Sequence, residues 1–457
     1  MASYNSIRQF VVIKATDARA FYDDGDVEKI TSLLASELAK LGYTDDFEIT
    51  ALPARKLEIA DESGRLKPHP LQPVDTLDIG LALDSPENVD SLRKAVAKDT
   101  EHHFFVGVGA DVSFEPTDCW CPGEAADPIY GDRDDAEELI DASVLQQHGL
   151  KGRHVNVVIV DRGLDPNHIT IAGRWRFGTA DPTPLPTPDN HAMMIARHIQ
   201  KVAPQAAIFD CALLPEHISD IGNFIAVAHT AYVQMLADIA YWKQHHIRST
   251  QWVFVNAWAI YDRRSEHPLG DYTEKRNHIF NQIVEQAART EHIDIVFAAG
   301  NCGLFCPRMN CGRNDRGPGR SIFGANSDRH VLTTGAVRTD GMWLGYSSQG
   351  PGQPDFAPGP GRTCEKPDLC VPSQYRETDD AHLVNTGTSA SCALAAAVIA
   401  ALRSRHKWDS NTIPPDVLRR YLIDTARPTH YTGWDEKLGY GILNVKDAYN
   451  ELHNDYP

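Results

Sequence analysis

Residues 155–161 read Val-Asn-Val-Val-Ile-Val-Asp, an almost unbroken apolar run that ends in a carboxylate. Runs of this kind are typical of strands buried on both faces, as in parallel sheets. An aspartate directly after a buried strand is costly unless it has a partner, and orienting a histidine is one way to supply one. A turn or helix-capping role is the alternative interpretation of Asp161.

Downstream of this run, short apolar segments alternate with longer stretches of helical character. Strands are predicted at 207–213, 252–256, 293–298 and 331–337, and helices at 191–202, 221–245 and 274–291. Strands that alternate with helices indicate an α/β fold with a mostly parallel sheet covered on both faces. Functional residues of such sheets collect at the carboxyl ends of the strands.

A histidine opens the first of these helices. His191 lies in its first turn, where the positive end of the helix dipole disfavours the imidazolium and suits a neutral general base. His198 lies one heptad further along the same helix and is the competing candidate. For His198 a packing or surface role is the alternative, and its burial should distinguish the two residues.

Two further candidates stand at a strand end and at a helix start. The strand that ends in Ala298-Ala299-Gly300 is followed by Asn301, whose amide can donate hydrogen bonds to an oxyanion without carrying charge. Ser389 lies in a small-residue turn that runs into an apolar helix, where unpartnered N–H groups and the dipole favour an oxyanion. Taken alone, this serine fits an ordinary helix cap equally well.

Asp161, His191, Asn301 and Ser389 occur in the chain order of the subtilisin-like serine proteases, and the sequence resembles that family. Segments similar to the family extend over about residues 140–450. They are 150–165, 202–206, 331–337, 346–351, 366–369 and 439–444. The resemblance implies a subtilisin-like fold and a serine endopeptidase that acts on polypeptides.

The resemblance also assigns roles to the candidates. Ser389 would be the nucleophile, His191 the general base and Asp161 the group that orients it, with Asn301 and the Ser389 N–H as the oxyanion hole. Substrate-binding positions are expected along two strands: Asn256, Ala257, Trp258, Ala298, Ala299 and Gly300. No cofactor is required, and although calcium is common in the family, no loop identifies a site.

The sequence departs from the family at several of these positions. Arg162 replaces a small hydroxyl residue after the aspartate, Ala192-Met193 replaces Gly-Thr, and Ala393 replaces a proline. Trp258 stands where the substrate strand has a small residue, so it either narrows the cleft or points into the core. A catalytically impaired subtilase-like binding or regulatory protein is therefore the alternative function.

Residues 1–114 alternate as βαββαβ, the order of a small ferredoxin-like α+β domain. The family resemblance suggests a propeptide-like domain, and an unrelated regulatory domain of the same fold is the alternative. Residues 115–137 contain prolines, glycines and many acidic residues and are predicted to be an exposed linker. Residues 138–457 then form the catalytic domain.

The net charge and the first residues of the chain restrict the kinds of binding partner and the expected site of synthesis. A net charge of −18 disfavours nucleic acid and anionic membranes. The first residues lack a signal-peptide pattern, which predicts cytoplasmic synthesis. A protease there needs restraint, for which the expectations are the N-terminal domain, a separate inhibitor protein, or export by a route without a signal peptide.

The cysteine count is odd, with nine cysteines in the chain. Five of them flank Asn301 or precede Ser389: Cys302, Cys306, Cys311, Cys364 and Cys370. Their spacing lacks a C-x-x-C pair, so free thiols or a local disulfide are favoured over a zinc site.

Overall fold

The computed structural model describes residues 7–15, 27–100, 103–112, 115–116, 130–177, 190–213, 224–378, 383–428 and 433–457. The strands are β1 Ile7–Lys14, β2 Glu48–Ala51, β3 Arg55–Ala60, β4 Leu66–His69, β5 Thr76–Leu83, β6 Phe105–Ala110, β7 Glu115–Pro116, β8 Val155–Asp161, β9 Gly173–Phe177, β10 Ala207–Ala212, β11 Gln251–Asn256, β12 Trp258–Ala259, β13 Asp294–Ala298, β14 Leu332–Val337 and β15 Leu369–Pro372.

The helices are α1 Val27–Lys40, α2 Pro86–Val96, α3 Arg133–Leu139, α4 Ser143–Gln147, α5 His191–Val202, α6 Phe224–Gln244, α7 Ile279–Arg289, α8 Gly387–Arg403, α9 Pro415–Asp424 and α10 Val445–Asp455. Within the described ranges, no helix has both the length and the apolar character needed to cross a membrane.

The N-terminal strands form an antiparallel four-stranded sheet in the order β2-β5-β1-β6. Helices α1 and α2 pack on it, and Ile30 and Leu34 are buried against Val11 and Ile79. The Ser85 side chain caps α2, as its sequence predicts. The βαββαβ order and the ferredoxin-like fold of this domain are confirmed.

A hairpin interrupts this domain and belongs to another sheet. Strands β3 and β4 lie between two predicted strands of the ferredoxin-like fold and pair with each other, with Leu57 opposite His69. Leu57 also lies opposite Trp175, because β3 pairs antiparallel with β9 of the catalytic domain. The domain boundary at residue 114 stays a prediction, and this hairpin, which comes before it in the chain, pairs with the sheet of the catalytic domain.

The large sheet has nine strands in the order β15-β14-β13-β11-β8-β10-β9-β3-β4. The first seven strands in this order, from β15 across to β9, are all parallel to one another. The hairpin of β3 and β4 adds two antiparallel strands at one edge. Successive side chains of β8 alternate between faces: Val157 packs in the cluster that contains α5 and α8. Val158 packs in the cluster that contains α6 and α7. The predicted subtilisin-like α/β architecture is confirmed.

Both ends of the predicted linker are ordered. Glu115–Pro116 forms β7, which pairs antiparallel with β12. Helix α3 begins at Arg133, is capped by Asp132, and buries Arg133 and Ala136. The linker predicted for 115–137 is therefore wrong at both ends, because capping and strand pairing outweigh its loop-like composition. Residues 117–129 lie outside the described part of the chain.

Candidate active site

Three of the predicted residues are joined by hydrogen bonds. His191 Nδ1 lies 2.8 Å from Asp161 Oδ2 and 3.0 Å from Oδ1. On the other side of the ring, His191 Nε2 lies 2.8 Å from Ser389 Oγ. Because the carboxylate can only accept, Nδ1 carries the proton and Nε2 is left able to accept one from the serine hydroxyl.

Helix capping holds His191 over the end of β8. The Asn190 side chain accepts a hydrogen bond from Met193 N at 2.9 Å and donates one to Gly163 O at 3.1 Å. The first contact starts α5 with His191 in its first turn, and the second ties that turn to the loop after Asp161. No role was predicted for Asn190, although an asparagine directly before a predicted helix is the usual signal for an N-cap.

Asp161 is fully buried and is held by the main chain as well as by His191. The Arg162 N–H donates to Asp161 Oδ1 at 2.8 Å. This donor belongs to the main chain and does not depend on the side chain at position 162, so arginine there leaves it in place. Two hydrogen-bonding partners offset the cost of burying the carboxylate.

Asn301 is fixed against the start of α8. Its Oδ1 accepts from Thr388 N at 3.1 Å and from Thr388 Oγ1 at 3.0 Å. The N–H donor determines which amide atom faces Thr388, so Nδ2 faces away from it. Asn301 is fully buried, and its Nδ2 has no hydrogen-bond partner among the described residues. Such a donor is costly in a folded protein unless a bound group satisfies it.

The protein-family model described as the subtilase family, Peptidase_S8, matches residues 152–441, which is well over half of the chain. The chain belongs to the subtilase family. It is therefore a subtilisin-like serine endopeptidase.

One solved structure shares the fold of this subtilase. Fervidolysin from Fervidobacterium pennivorans, described as a keratinolytic enzyme related to subtilisin, is similar at 15% identity and a TM-score of 0.54, over 98% of this chain and 61% of that one. MycP1 from Mycobacterium smegmatis is similar at 17% identity and a TM-score of 0.46, over 74% of this chain and 89% of that one. A comparison with curated proteins finds no match.

In the predicted substrate strand of this subtilase, the side chains of Asn256 and Trp258 belong to the core, and the main chain forms an edge. Asn256 is buried, and its Oδ1 accepts from Tyr232 OH at 2.9 Å. Trp258 is also buried and packs edge to face on Phe224 and Phe297. Its indole therefore follows the second of the two alternatives and does not line the cleft. Both side chains turn toward the core, so a contact of these two residues with substrate would have to use the main chain, and their role in substrate binding stays a prediction.

The main chain of the same segment lies beside the serine. Ser389 Oγ lies 3.1 Å from Ala257 O. The next two residues form β12, and Trp258 and Ala259 lie opposite Pro116 and Glu115 of β7. This segment therefore presents its main chain to Ser389, and its β12 edge pairs with β7.

The second predicted strand supplies the support for Asn301. Ala298, Ala299 and Gly300 are buried at the end of β13. Gly300 has a φ of +103°, and a Cβ there would lie 3.2 Å from Ala259 Cβ and 3.0 Å from Ser348 Oγ. A glycine is required because neither this φ nor this space suits a side chain.

His198, the competing histidine, lies in the core and is hydrogen-bonded away from the catalytic residues. It is fully buried, with Nδ1 2.9 Å from Met194 O and Nε2 3.0 Å from Tyr375 OH. Burial lowers the pKa of His198 to about 4, so it stays neutral near neutral pH. His191, and not His198, contacts Asp161 and Ser389.

The cysteines near Asn301 include a disulfide. Cys302 and Cys311 are bonded, which is one of the predicted alternatives, whereas Cys306, Cys364 and Cys370 are not disulfide-bonded. The described residues contain no group of three or more side chains suited to hold a metal ion. Cys119 and Cys121 lie outside the described residues.

Proposed function

We propose that this subtilase hydrolyses peptide bonds with Ser389 as nucleophile, His191 as general base and Asp161 as the group that orients the imidazole. Ser389 Oγ attacks the scissile carbonyl carbon as its proton passes to His191 Nε2. Asp161 stabilises the imidazolium that forms, which then protonates the leaving amine. A water molecule repeats the sequence to release the acyl group. The observation that carries this proposal is the continuous Asp161–His191–Ser389 hydrogen-bond chain.

The oxyanion hole is the second part of the proposal. The Asn301 Nδ2 donor and the Ser389 backbone N–H would hold the negative oxygen of the tetrahedral intermediate. Two observations support this role: Nδ2 has no protein partner in the described chain, and Oδ1 is fixed by two bonds to the residue next to Ser389. The start of α8 adds the positive end of its dipole.

Peptide hydrolysis by Ser389→Ala and Asp161→Asn variants tests these roles. Ser389→Ala is expected to lose turnover above background, and Asp161→Asn to lose about 10⁴-fold in kcat because the wrong imidazole tautomer is favoured. Thermal unfolding of each variant serves as the folding control. A folded Ser389→Ala variant with wild-type turnover would refute the assignment.

Substrates are proposed to be extended polypeptides that pair with β12. The pairing of β12 with β7 supports this, because that edge already accepts an extended segment in antiparallel register. Pairing through backbone atoms provides affinity that depends little on side chains. The buried Trp258 leaves specificity to other groups around the cleft.

The N-terminal domain is proposed to restrain the enzyme. Residues Glu115 and Pro116, which follow it directly, occupy the β12 edge, and Ser389 has 0% of its surface exposed. The domain is held by Arg93, which donates to Asp271 Oδ1 and Oδ2 at 2.9 and 2.6 Å. A substrate therefore has to displace a segment of the same chain.

Mass spectrometry combined with an activity assay tests this restraint. The intact chain is expected to hydrolyse peptides slowly, and cleavage between residues 117 and 129 to raise the rate, because it frees the end of β7 to leave β12 even while the β3–β9 pairing keeps the two fragments together. An intact chain that is fully active from the start would refute restraint by the N-terminal domain. That result would favour a separate inhibitor protein instead.

The alternative of a catalytically impaired binding protein loses its two supporting signs. Trp258 packs in the core, and the Arg162 backbone donates to Asp161. Neither residue disrupts the hydrogen-bond chain. Absence of hydrolysis after linker cleavage, with the protein still folded, would revive this alternative.

A further inference from the structure

The disulfide begins at the residue after Asn301. Cys302 is bonded to Cys311 and closes a loop with a sequence separation of 9. Both cysteines are buried and pack with Tyr261 in a small apolar cluster. The loop therefore begins directly after the proposed oxyanion residue.

The closed loop contacts the main chain of Asn301. Arg308 N donates to Asn301 O at 3.0 Å, and Cys311 Sγ lies 3.5 Å from the same oxygen. On the other side, Cys302 N donates to Ser348 Oγ at 3.1 Å. The backbone that carries the Asn301 amide is thus held from within the loop.

The same loop is bonded to the segment that follows the substrate edge. Gly312 N, next to Cys311, donates to Tyr261 O at 2.7 Å. The Arg308 guanidinium lies 5.5 Å from the centre of the Tyr261 ring. Tyr261 comes two residues after β12, so one loop joins the proposed oxyanion donor to the edge that receives the peptide.

The loop has little apolar burial of its own. Its large apolar side chains face solvent, with Leu304 54%, Phe305 68% and Met309 97% exposed. Hydrophobic packing therefore contributes little to its shape. Its conformation depends on the covalent closure and on the backbone hydrogen bonds that the closure keeps in register.

We propose that the Cys302–Cys311 disulfide is a positioning element of the active site, which fixes Asn301 so that its amide meets the oxyanion. This inference rests on the proposed function of Asn301. A dithiol reductant would open the bridge: two reductant thiols are oxidised to a disulfide while the bridge gains two protons and two electrons and becomes two cysteine thiols. Reduction thereby lowers turnover, and reoxidation restores it.

The test compares a Cys302→Ala/Cys311→Ala variant with wild type and with Cys306→Ser, a matched control in the same loop. Small displacements of catalytic groups lower rates strongly, so kcat is expected to fall by about 10- to 100-fold in the double variant with KM changed by less than about threefold. Cys306→Ser is expected to keep the wild-type kcat. Thermal unfolding identifies variants that fail to fold.

A double-mutant cycle distinguishes positioning from general destabilisation. If the bridge acts through Asn301, opening it in an Asn301→Ala background adds little further loss, whereas a general defect adds its full effect. Alkylation and mass spectrometry of reduced wild-type protein should place the new thiols at Cys302 and Cys311, in step with the loss of kcat.

Two results would overturn the inference: an unchanged kcat in the folded double variant, or a full additional loss in the Asn301→Ala background. A different result would refute the proposed function itself. In that case, oxidised wild-type protein with a cleaved linker would show neither peptide hydrolysis nor reaction with a serine-directed probe. The two failures are therefore separable in one set of measurements.

Discussion

Replacement of Asn301 tests how much the proposed oxyanion hole contributes. In Asn301→Ala the unpartnered Nδ2 donor is removed, and the loss of one such donor costs about 10²- to 10³-fold in kcat, or about 2.7 to 4 kcal/mol. KM is expected to change little, because the donor acts on charge that develops only in the transition state.

The structure also predicts a stability cost for Asn301→Ala. The variant removes the acceptor for Thr388 N and Thr388 Oγ1. Leaving these buried donors unsatisfied destabilises the fold by about 1 to 3 kcal/mol. Asn301→Asp is the matched variant, because it keeps an acceptor for Thr388 but replaces the N–H donor with an oxygen.

The assay is steady-state hydrolysis of a chromogenic peptide by protein with a cleaved linker, accompanied by urea unfolding. Asn301→Asp should lose at least as much kcat as Asn301→Ala, since its charge also repels the oxyanion. Both variants should still bind peptide. A kcat within about threefold of wild type in folded Asn301→Ala would refute the assigned role.

Three further predictions concern the rest of the fold. After linker cleavage the two fragments should co-elute in size-exclusion chromatography, because β3 is part of the catalytic sheet. Leu57→Asp, which places a charge at a buried position of β3, should separate the fragments. Lys56→Asp, at an exposed position of the same strand, should not. Burial raises the pKa of Asp111 to about 7, so its ionisation opposes folding. The free energy of unfolding, measured with urea, should therefore fall as pH rises from about 4 to 7, and it should fall less steeply in Asp111→Asn. An equal dependence of this free energy on pH in the variant and the wild type would contradict the prediction. Arg403→Met should cost about 3 to 5 kcal/mol in urea unfolding by leaving buried Asp294 unpaired, and a loss under about 1 kcal/mol would contradict it.

The sequence was sufficient to predict the parallel sheet and the residues that meet at its end. Continuous apolar runs such as the one before Asp161 identify buried strands, and the carboxyl ends of parallel strands share one edge. His191 and Ser389 were detectable because each stands at the start of a strongly patterned helix. Local pattern and the parallel rule together bring distant residues into one site.

The hairpin β3–β4 and the β7–β12 pairing could not be predicted in this way. Both strands of the hairpin lie in a stretch with several prolines, and β7 consists of only Glu115–Pro116. Their conformation is set by partners far along the chain and not by local propensity. The sequence pattern predicts which residues form strands more clearly than it predicts which strands pair with each other.

The Cys302–Cys311 bridge shows the same limit in another form. Nine cysteines allow many pairings, and spacing alone left thiols, a disulfide and a metal site as alternatives. Only the turn of the loop back onto Asn301 brings these two side chains together. The orientation of the Trp258 side chain could not be predicted either, because it depends on the aromatic side chains that surround it in the fold.

The most direct measurement of the central claim is tandem mass spectrometry of the linker-cleaved protein after reaction with a fluorophosphonate. The hydrogen-bond chain predicts a single adduct on Ser389 that is lost in His191→Ala, because only an activated serine reacts quickly. Folded protein that forms no adduct, or that carries it on a different serine, would contradict the assignment of Ser389 as the nucleophile.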